Sequence, residues 1–184
     1  IIGRNRRGEP TERTPAGRLP MGRKGIGKLA GFGIAGTVDV ISSPNIQLRR
    51  DADIVAQSFY WLRFSLQELI AKSTASLTGS YEPEVIADGV NLNVLQDLVI
   101  NNGCEEECRH FLENSISGKG GVCIILRNTT LKKAMNVESL IQSTGRRFTV
   151  AMLRPEFIVR VNGKPITPDA ALPALHDFGF GDWN

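Results

Sequence analysis

The chain has 184 residues, of which 41% are hydrophobic and 22% charged, a composition that is ordinary for a soluble globular protein of one domain or slightly more. No apolar stretch approaches the length of a membrane span, residues 1–20 lack the apolar core of a signal peptide, and the three irregularly spaced cysteines argue against a disulfide framework. We therefore expect a cytoplasmic protein, in a reducing compartment, that has no membrane partner.

The N-terminal segment is basic. The net charge of the chain is +3, and much of the excess lies within the first 28 residues, at Arg4, Arg6, Arg7, Arg13, Arg18, Arg23, Lys24 and Lys28. Such a run attracts the phosphate of a nucleotide or of nucleic acid, although a solvated arm is an equal interpretation of residues 4–13. Proline and glycine interrupt every helix here, so a basic loop is predicted over 1–21. Because the chain begins with Ile-Ile instead of Met, we expect a fragment.

Residues 22–36, GRKGIGKLAGFGIAG, form a glycine-rich segment with two lysines. Gly22, Gly25 and Gly27 allow positive φ and a close approach of the backbone to a ligand. The apolar residues that follow have near-helical spacing and are Ile26, Leu29, Ala30 and Ile34. The segment therefore predicts an anion site at the start of such a helix. The first backbone amides, the positive end of the helix dipole and the charge of Lys24 or Lys28 would all be directed at a phosphate there.

Two families of phosphate-binding proteins have a comparable loop. In the first, the P-loop G-x-x-x-x-G-K-[ST], the last position supplies the hydroxyl that holds Mg²⁺, and Leu29 occupies that position here. A buried strand should also precede the loop, whereas residues 8–20 contain three prolines and alternating charge. The P-loop interpretation is therefore poor.

The segment resembles the ATP lid of the GHKL superfamily, which includes gyrase B, the ninety-kilodalton heat-shock chaperones, MutL-type repair proteins, MORC proteins and sensor histidine kinases. Their lid has G-x-x-G-x-G at the start of a helix, as at Gly22, Gly25 and Gly27. Five further stretches follow the order of bacterial stand-alone members: IIGRNRR, TPAGR, GVCIILRN, GRRFTV and FIVRVNGKPI. The resemblance covers roughly the first 40 and the last 65 residues.

The resemblance implies an α/β (α+β) two-layer sandwich of the Bergerat type, with a mixed, mostly antiparallel sheet, helices on one face, and an N-terminal part that is lacking here. Residues 1–184 would be one partial domain, with the lid and its helix at 22–36. ATP and Mg²⁺ would be the cofactors, lid closure would accompany homodimerisation, and the intact protein would be an ATPase. The implied nucleotide contacts are Gly22, Lys24, Gly25, Ile26, Gly27, Lys28 and Leu29 in the lid, and Gly121 and Val122 in a late strand.

The chain departs from the family pattern in two places. Val122 stands where the family has a threonine that helps to hold adenine. The E-x-x-x-N helix and the D-x-G-x-G turn should precede the lid, but the 21 residues before Gly22 contain neither, and Asp88 lies downstream. Catalytic residues are therefore not identified. The alternative is a non-catalytic interaction module that binds nucleic acid or an acidic partner protein through its basic segment.

The rest of the chain alternates between strand and helix patterns. A helix is predicted at 26–35, strands at 37–42 and 57–66, and a late strand at 121–128. Residues 67–117 are predicted to be an insertion that contains helical stretches, with a break at Pro83 and Gly89. Asn136 is predicted to cap a helix at 137–148, and Asn162-Gly163 to form a hairpin turn. The tail at 168–184 has no assignment.

Cysteine and histidine approach one another in the stretch CEEECRH. Cys104, Cys108 and His110 would suggest a metal if Cys123 or His176 joined them. The spacing C-x-x-x-C-x-H is uncommon for zinc, and cysteine is usually a small buried apolar residue. We therefore expect no metal site.

Overall fold

The computed structural model describes residues 26–43, 58–75, 81–152 and 157–167. The chain divides into two compact units, 1–130 and 131–184. The predicted basic loop at 1–21, and Gly22, Lys24 and Gly25, lie outside the described residues. Within the described ranges, every helix is too short or too polar to cross a lipid bilayer.

The first unit is built on an antiparallel sheet of four strands in the order β3-β2-β1-β4. The strands are β1 (Ala35–Ser43), β2 (Phe59–Ser65), β3 (Glu84–Val90) and β4 (Gly121–Thr129). The strands predicted at 37–42, 57–66 and 121–128 are thereby confirmed, because each has the apolar and β-branched residues that a buried sheet selects. On β1, Asp39 lies opposite Arg63 on one side and Ile125 on the other.

Helices also belong to this unit, and two of them cover one face of the sheet. The helices of the unit are α1 (Leu66–Ala75), α2 (Leu92–Asn101) and α3 (Glu105–Ile116). Buried residues of α2 and α3, among them Leu95, Val99 and Phe111, form one core with the strand residues Ile41 and Trp61. The unit is therefore an α+β fold with helices packed on a sheet, as the resemblance implies, but every strand pair of this sheet is antiparallel, so the expectation of a mixed sheet is wrong for the described residues.

The start of α2 follows from its sequence. Asn91 caps the helix, since its side-chain oxygen accepts a hydrogen bond from the Val94 amide at 3.0 Å. Leu95 and Val99, four residues apart on one side of the helix, are buried. Gly103, at φ 57°, then permits the tight turn into α3.

Pro83 and Gly89 interrupt the helical pattern as predicted, since α1 ends before them and α2 begins after them, but the strand β3 that forms between Glu84 and Val90 is not predicted by the sequence pattern. Phe59 pairs with Val90 while Trp61 pairs with Ala87, so β3 contains one residue more than β2 over this stretch. Gly89 has φ 67°, which suits the extra residue of such a bulge. The glycine thus bends the strand without ending it. The segment 67–117 supplies this strand and two core helices, and its origin as an insertion stays a prediction.

The opposite face of the sheet, called the open face below, is apolar and partly exposed. Because side chains alternate along a strand, it contains Val38, Val40, Tyr60, Leu62, Val122, Ile124 and Leu126. Tyr60 is 44% exposed, Ile124 60% and Val122 63%. A sheet face with this composition remains available for contacts.

A 3₁₀ helix at Ile26–Gly33 precedes β1 and packs against the open face. The α-helix predicted at 26–35 is therefore present in a tighter and shorter form. A Cβ atom on Gly31 would lie 3.0 Å from Leu126 Cδ2 and 3.2 Å from Val38 Cγ2, which is closer than side chains ordinarily approach. The absence of a side chain at Gly31 thus allows the helix to contact the sheet.

The second unit contains α4 (Val137–Met152) and a hairpin of β5 (Arg160–Val161) and β6 (Lys164–Pro165). The predicted cap is confirmed, because Asn136 Oδ1 accepts a hydrogen bond from the Ser139 amide at 3.0 Å. The hairpin turn is confirmed as well, with φ of 50° at Asn162 and 75° at Gly163. The tail at 168–184 lies outside the described residues.

We predict that Gly31→Val lowers the free energy of unfolding of the first unit by about 1–3 kcal/mol, because the new side chain overpacks against Val38 and Leu126. Gly33→Val is the matched control, since nothing lies within 4 Å of its Cβ position. Urea unfolding followed by Trp61 fluorescence, in a Trp183→Phe background, measures both. Equal loss in the two variants would contradict the close contact at Gly31.

Candidate functional site

The predicted lid leads directly into the central strand of the sheet. Ile26, Gly27, Lys28 and Leu29 belong to the 3₁₀ helix, and the side chains of these four are outside the description. The Ile34 amide donates to Gly31 O at 3.2 Å and Thr130 N donates to Ile34 O at 2.9 Å. The exit of the lid helix is therefore fixed to β1 and to the end of β4.

Gly121 and Val122 begin β4, opposite Ser43 and Ser42 of β1. The alternation of the strand puts the Val122 side chain on the open face, where it is 63% exposed. Val38, which lies against the lid helix, is on the same face four residues along β1, or about 13 Å away at the rise of a strand. The 3₁₀ helix of the predicted lid and the predicted late-strand position thus share one apolar surface.

A cluster of charged side chains lies on the helix-covered face, and none of its members is among the site residues predicted from the sequence. The Asp39 carboxylate is fully buried. Arg63 donates to it twice, from Nε to Oδ1 at 2.7 Å and from Nη2 to Oδ2 at 3.0 Å. Arg127 Nε donates to Oδ2 at 2.7 Å. One carboxylate therefore joins β2 and β4 through the central strand.

The electrostatics of this cluster keep Asp39 ionised. Burial by itself would raise the pKa of Asp39, but the hydrogen bonds and charges of Arg63 and Arg127 outweigh it, and the pKa lies below the ordinary value of 3.8. Both carboxylate oxygens accept hydrogen bonds from guanidinium groups. A carboxylate that is held so firmly in its charged form is a poor general base, so the cluster has a structural role.

Asn102, at the end of α2, connects the cluster to the helical layer. Its side-chain oxygen accepts a hydrogen bond from Arg63 Nη2 at 2.9 Å, and its backbone oxygen accepts one from Arg127 Nη2 at 3.4 Å. Its side-chain nitrogen donates to Leu98 O at 2.9 Å. The polar groups of the turn between α2 and α3 are thus hydrogen-bonded to the sheet.

A signal for this cluster exists in the sequence. Asp39 lies between two valines in TVDVIS, at a position that alternation assigns to the same face as Ile41. Arg63 occupies the corresponding face of FYWLRFS together with Trp61. A charge at an inward position of a strand requires a partner.

The cysteine stretch is organised differently from the metal pattern that we considered. Cys104 and Cys108 are fully buried, whereas His110 is exposed and pairs with Glu113 at 3.1 Å. Cys123 of β4 packs against the core cluster that contains these two thiols, and His176 lies outside the described residues. In the part of the chain that the structure describes, no group of three histidine, cysteine, aspartate or glutamate side chains is arranged to hold a metal ion.

We predict that Asp39→Asn destabilises the first unit by about 3–5 kcal/mol, because it removes the negative charge that compensates two partly buried arginines. Glu84→Gln is the control. Glu84 lies 4.0 Å from Arg63 but its side chain is 64% exposed, so its loss should cost less than about 1 kcal/mol. Chemical unfolding compares the two variants, and similar losses would contradict the central role of Asp39.

The lowered pKa of Asp39 also predicts the sign of a pH dependence. A carboxyl group whose pKa is lower in the folded state stabilises the protein above its unfolded pKa, near 3.8, and this stabilisation is lost as the pH falls through the folded value. The free energy of unfolding should therefore fall more steeply below about pH 4 in the wild type than in Asp39→Asn. Should the variant not fold, ¹³C NMR titration of the wild-type carboxyl group gives the same answer. Parallel pH profiles, or an Asp39 titration above pH 3.8, would contradict this prediction.

Comparison of the chain with family models, with curated proteins and with solved structures gives no significant match.

Proposed function

We propose that this chain is the lid-side part of a GHKL-type ATP-binding domain of the Bergerat type. In this proposal the amides at the start of the lid helix and Lys24 or Lys28 bind the phosphates of Mg·ATP. The adenine and ribose lie over the open face toward Gly121 and Val122. Contacts to the γ-phosphate favour a closed lid, and hydrolysis in the intact protein releases it.

The observation that carries the proposal is the position of the lid helix. A glycine and lysine segment runs into a helix of eight residues, about 16 Å long, that packs on the open face through Gly31. Val122 is exposed on the same face. A site with phosphate-binding amides at one end and an apolar surface at the other matches the two chemical halves of a nucleotide.

The described residues favour nucleotide binding over complete catalysis. Asp39, a fully buried carboxylate, is engaged by two arginines and is unsuited to activate water. Hydrolysis would require the acid and asparagine motifs that the resemblance assigns to a segment before the lid. Homodimerisation through the domain belongs to the same proposal, because lid closure in the family accompanies it.

A basic interaction module remains the second candidate. Its support is the cluster of arginines at Arg4, Arg6 and Arg7, which would bind nucleic acid or an acidic protein with a strong dependence on salt. This candidate needs neither the lid helix nor the open face.

Mg·ATP should stabilise the full-length protein, including any residues that its gene encodes before Ile1. At 100 times the dissociation constant, a ligand that binds only the folded state stabilises it by about 2.7 kcal/mol, which raises the melting temperature by roughly 5–10 °C for a protein of this size. Lys24→Ala/Lys28→Ala should abolish the shift, because the double variant removes two positive charges from the phosphate site.

The matched control is Lys132→Ala/Lys133→Ala, which removes the same charge from two exposed positions and should leave the shift intact. Equal losses in both double variants would indicate unspecific attraction of the nucleotide. No shift in the wild type, together with binding to DNA that disappears when Arg4, Arg6 and Arg7 are neutralised, would replace the proposal with the interaction module.

A further inference from the structure

All three cysteines of the chain meet at one place in the first unit. Cys104 Sγ lies 3.9 Å from Cys108 Sγ at the start of α3. Cys123, on β4, packs against the core cluster that contains Cys108, and its Sγ lies 3.8 Å from the backbone oxygen of Glu107, the residue before Cys108. Cys108 and Cys123 are fifteen positions apart in the sequence, and the packing of α3 on β4 brings them to the same interface.

The three thiols differ in access and in partners. Cys104 is fully buried, and its thiol donates to Val99 O at 3.5 Å, so it is committed to the backbone. Cys108 is also fully buried and lies between the other two. Cys123 is only half-buried, so a small oxidant reaches it first.

The pKa values of the thiols also favour the oxidation of Cys123 before Cys108. The hydrogen bond from Cys108 lowers the pKa of Cys123, despite partial burial. The same hydrogen bond, together with burial, raises the pKa of Cys108. Because the thiolate is the nucleophile, Cys123 is the more reactive of the two.

We propose that Cys123 and Cys108 are a peroxide-sensitive pair that forms a reversible disulfide between β4 and α3. The Cys123 thiolate attacks one oxygen of hydrogen peroxide, the O–O bond breaks, and the products are a sulfenic acid and hydroxide, which is protonated to water. The Cys108 sulfur then attacks the Cys123 sulfur and displaces hydroxide, which takes the Cys108 proton. Two thiols lose two electrons in total, and peroxide is reduced to two waters. A dithiol reverses the bond by exchange.

The bond would act on the strand that begins with Gly121 and Val122. It would join α3 covalently to β4 and restrict the unfolded chain, so the oxidised protein should melt several degrees higher than the reduced one. This inference does not depend on nucleotide binding, since it concerns the helix-covered face.

Peptide mapping tests the pairing directly. The reduced native protein is treated with a tenfold excess of hydrogen peroxide, then unfolded in guanidinium chloride that contains N-ethylmaleimide, so that buried free thiols are also labelled, and cleaved after glutamate. This cleavage separates the cysteines into peptides 85–105, 108–113 and 114–138. We expect 108–113 joined to 114–138, with Cys104 labelled by the maleimide, and full recovery of three labelled thiols after dithiothreitol.

Variants and an unfolded sample give independent readouts. Cys104→Ser should keep the cross-link, whereas Cys108→Ser should leave a Cys123 sulfenic acid that reacts with dimedone and should lose the rise in melting temperature. In urea the preference for one pair should disappear. Three maleimide-labelled thiols after peroxide, a bond between Cys104 and Cys108, or the same cross-link pattern in urea would each overturn the proposal.

Discussion

The buried carboxylate of Asp39 is the constraint on which the first unit depends. It lies on the central strand and accepts hydrogen bonds from Arg63 on one neighbour and Arg127 on the other. Asn102 extends the same network to the helical layer. A slip of one residue in any of these strands would turn a charge toward the open face and leave the others buried without partners. The network therefore specifies the register of the sheet as well as the position of α2 on it.

This constraint gives the two faces of the sheet different roles. The helix-covered face combines the charged network with a core in which Phe59 and Phe111 pack edge to face at 6.1 Å. The open face has apolar side chains, of which Val122 and Ile124 are largely exposed, and the 3₁₀ helix of the predicted lid packs against it. Nucleotide binding is proposed for the open face and thiol oxidation for the covered face. The fold by itself implies neither, because one fold serves many functions.

Much of the secondary structure could be predicted from local patterns, because these helices and strands depend mainly on residues that are neighbours in the sequence. Alternation predicted β1 and β2, a β-branched run predicted β4, and side-chain capping predicted the start of α4 at Asn136. The pattern failed at β3, where a glycine that ends many strands instead forms a bulge. The reason is that pairing with β2 stabilises this strand, and the propensities of the local residues do not include the effect of a neighbouring strand.

The sequence by itself determined β1, β2, β4, the start of α4 and the glycine-rich lid pattern, because these depend on composition and on spacing along the chain. Only the tertiary structure decided which distant residues meet. Asp39 and Arg127 are 88 positions apart, and Cys108 and Cys123 lie on different elements. The spacing of residues along the chain does not tell how far apart they lie across a sheet. Such pairs depend on strand order and register, and these are set only when the whole core packs.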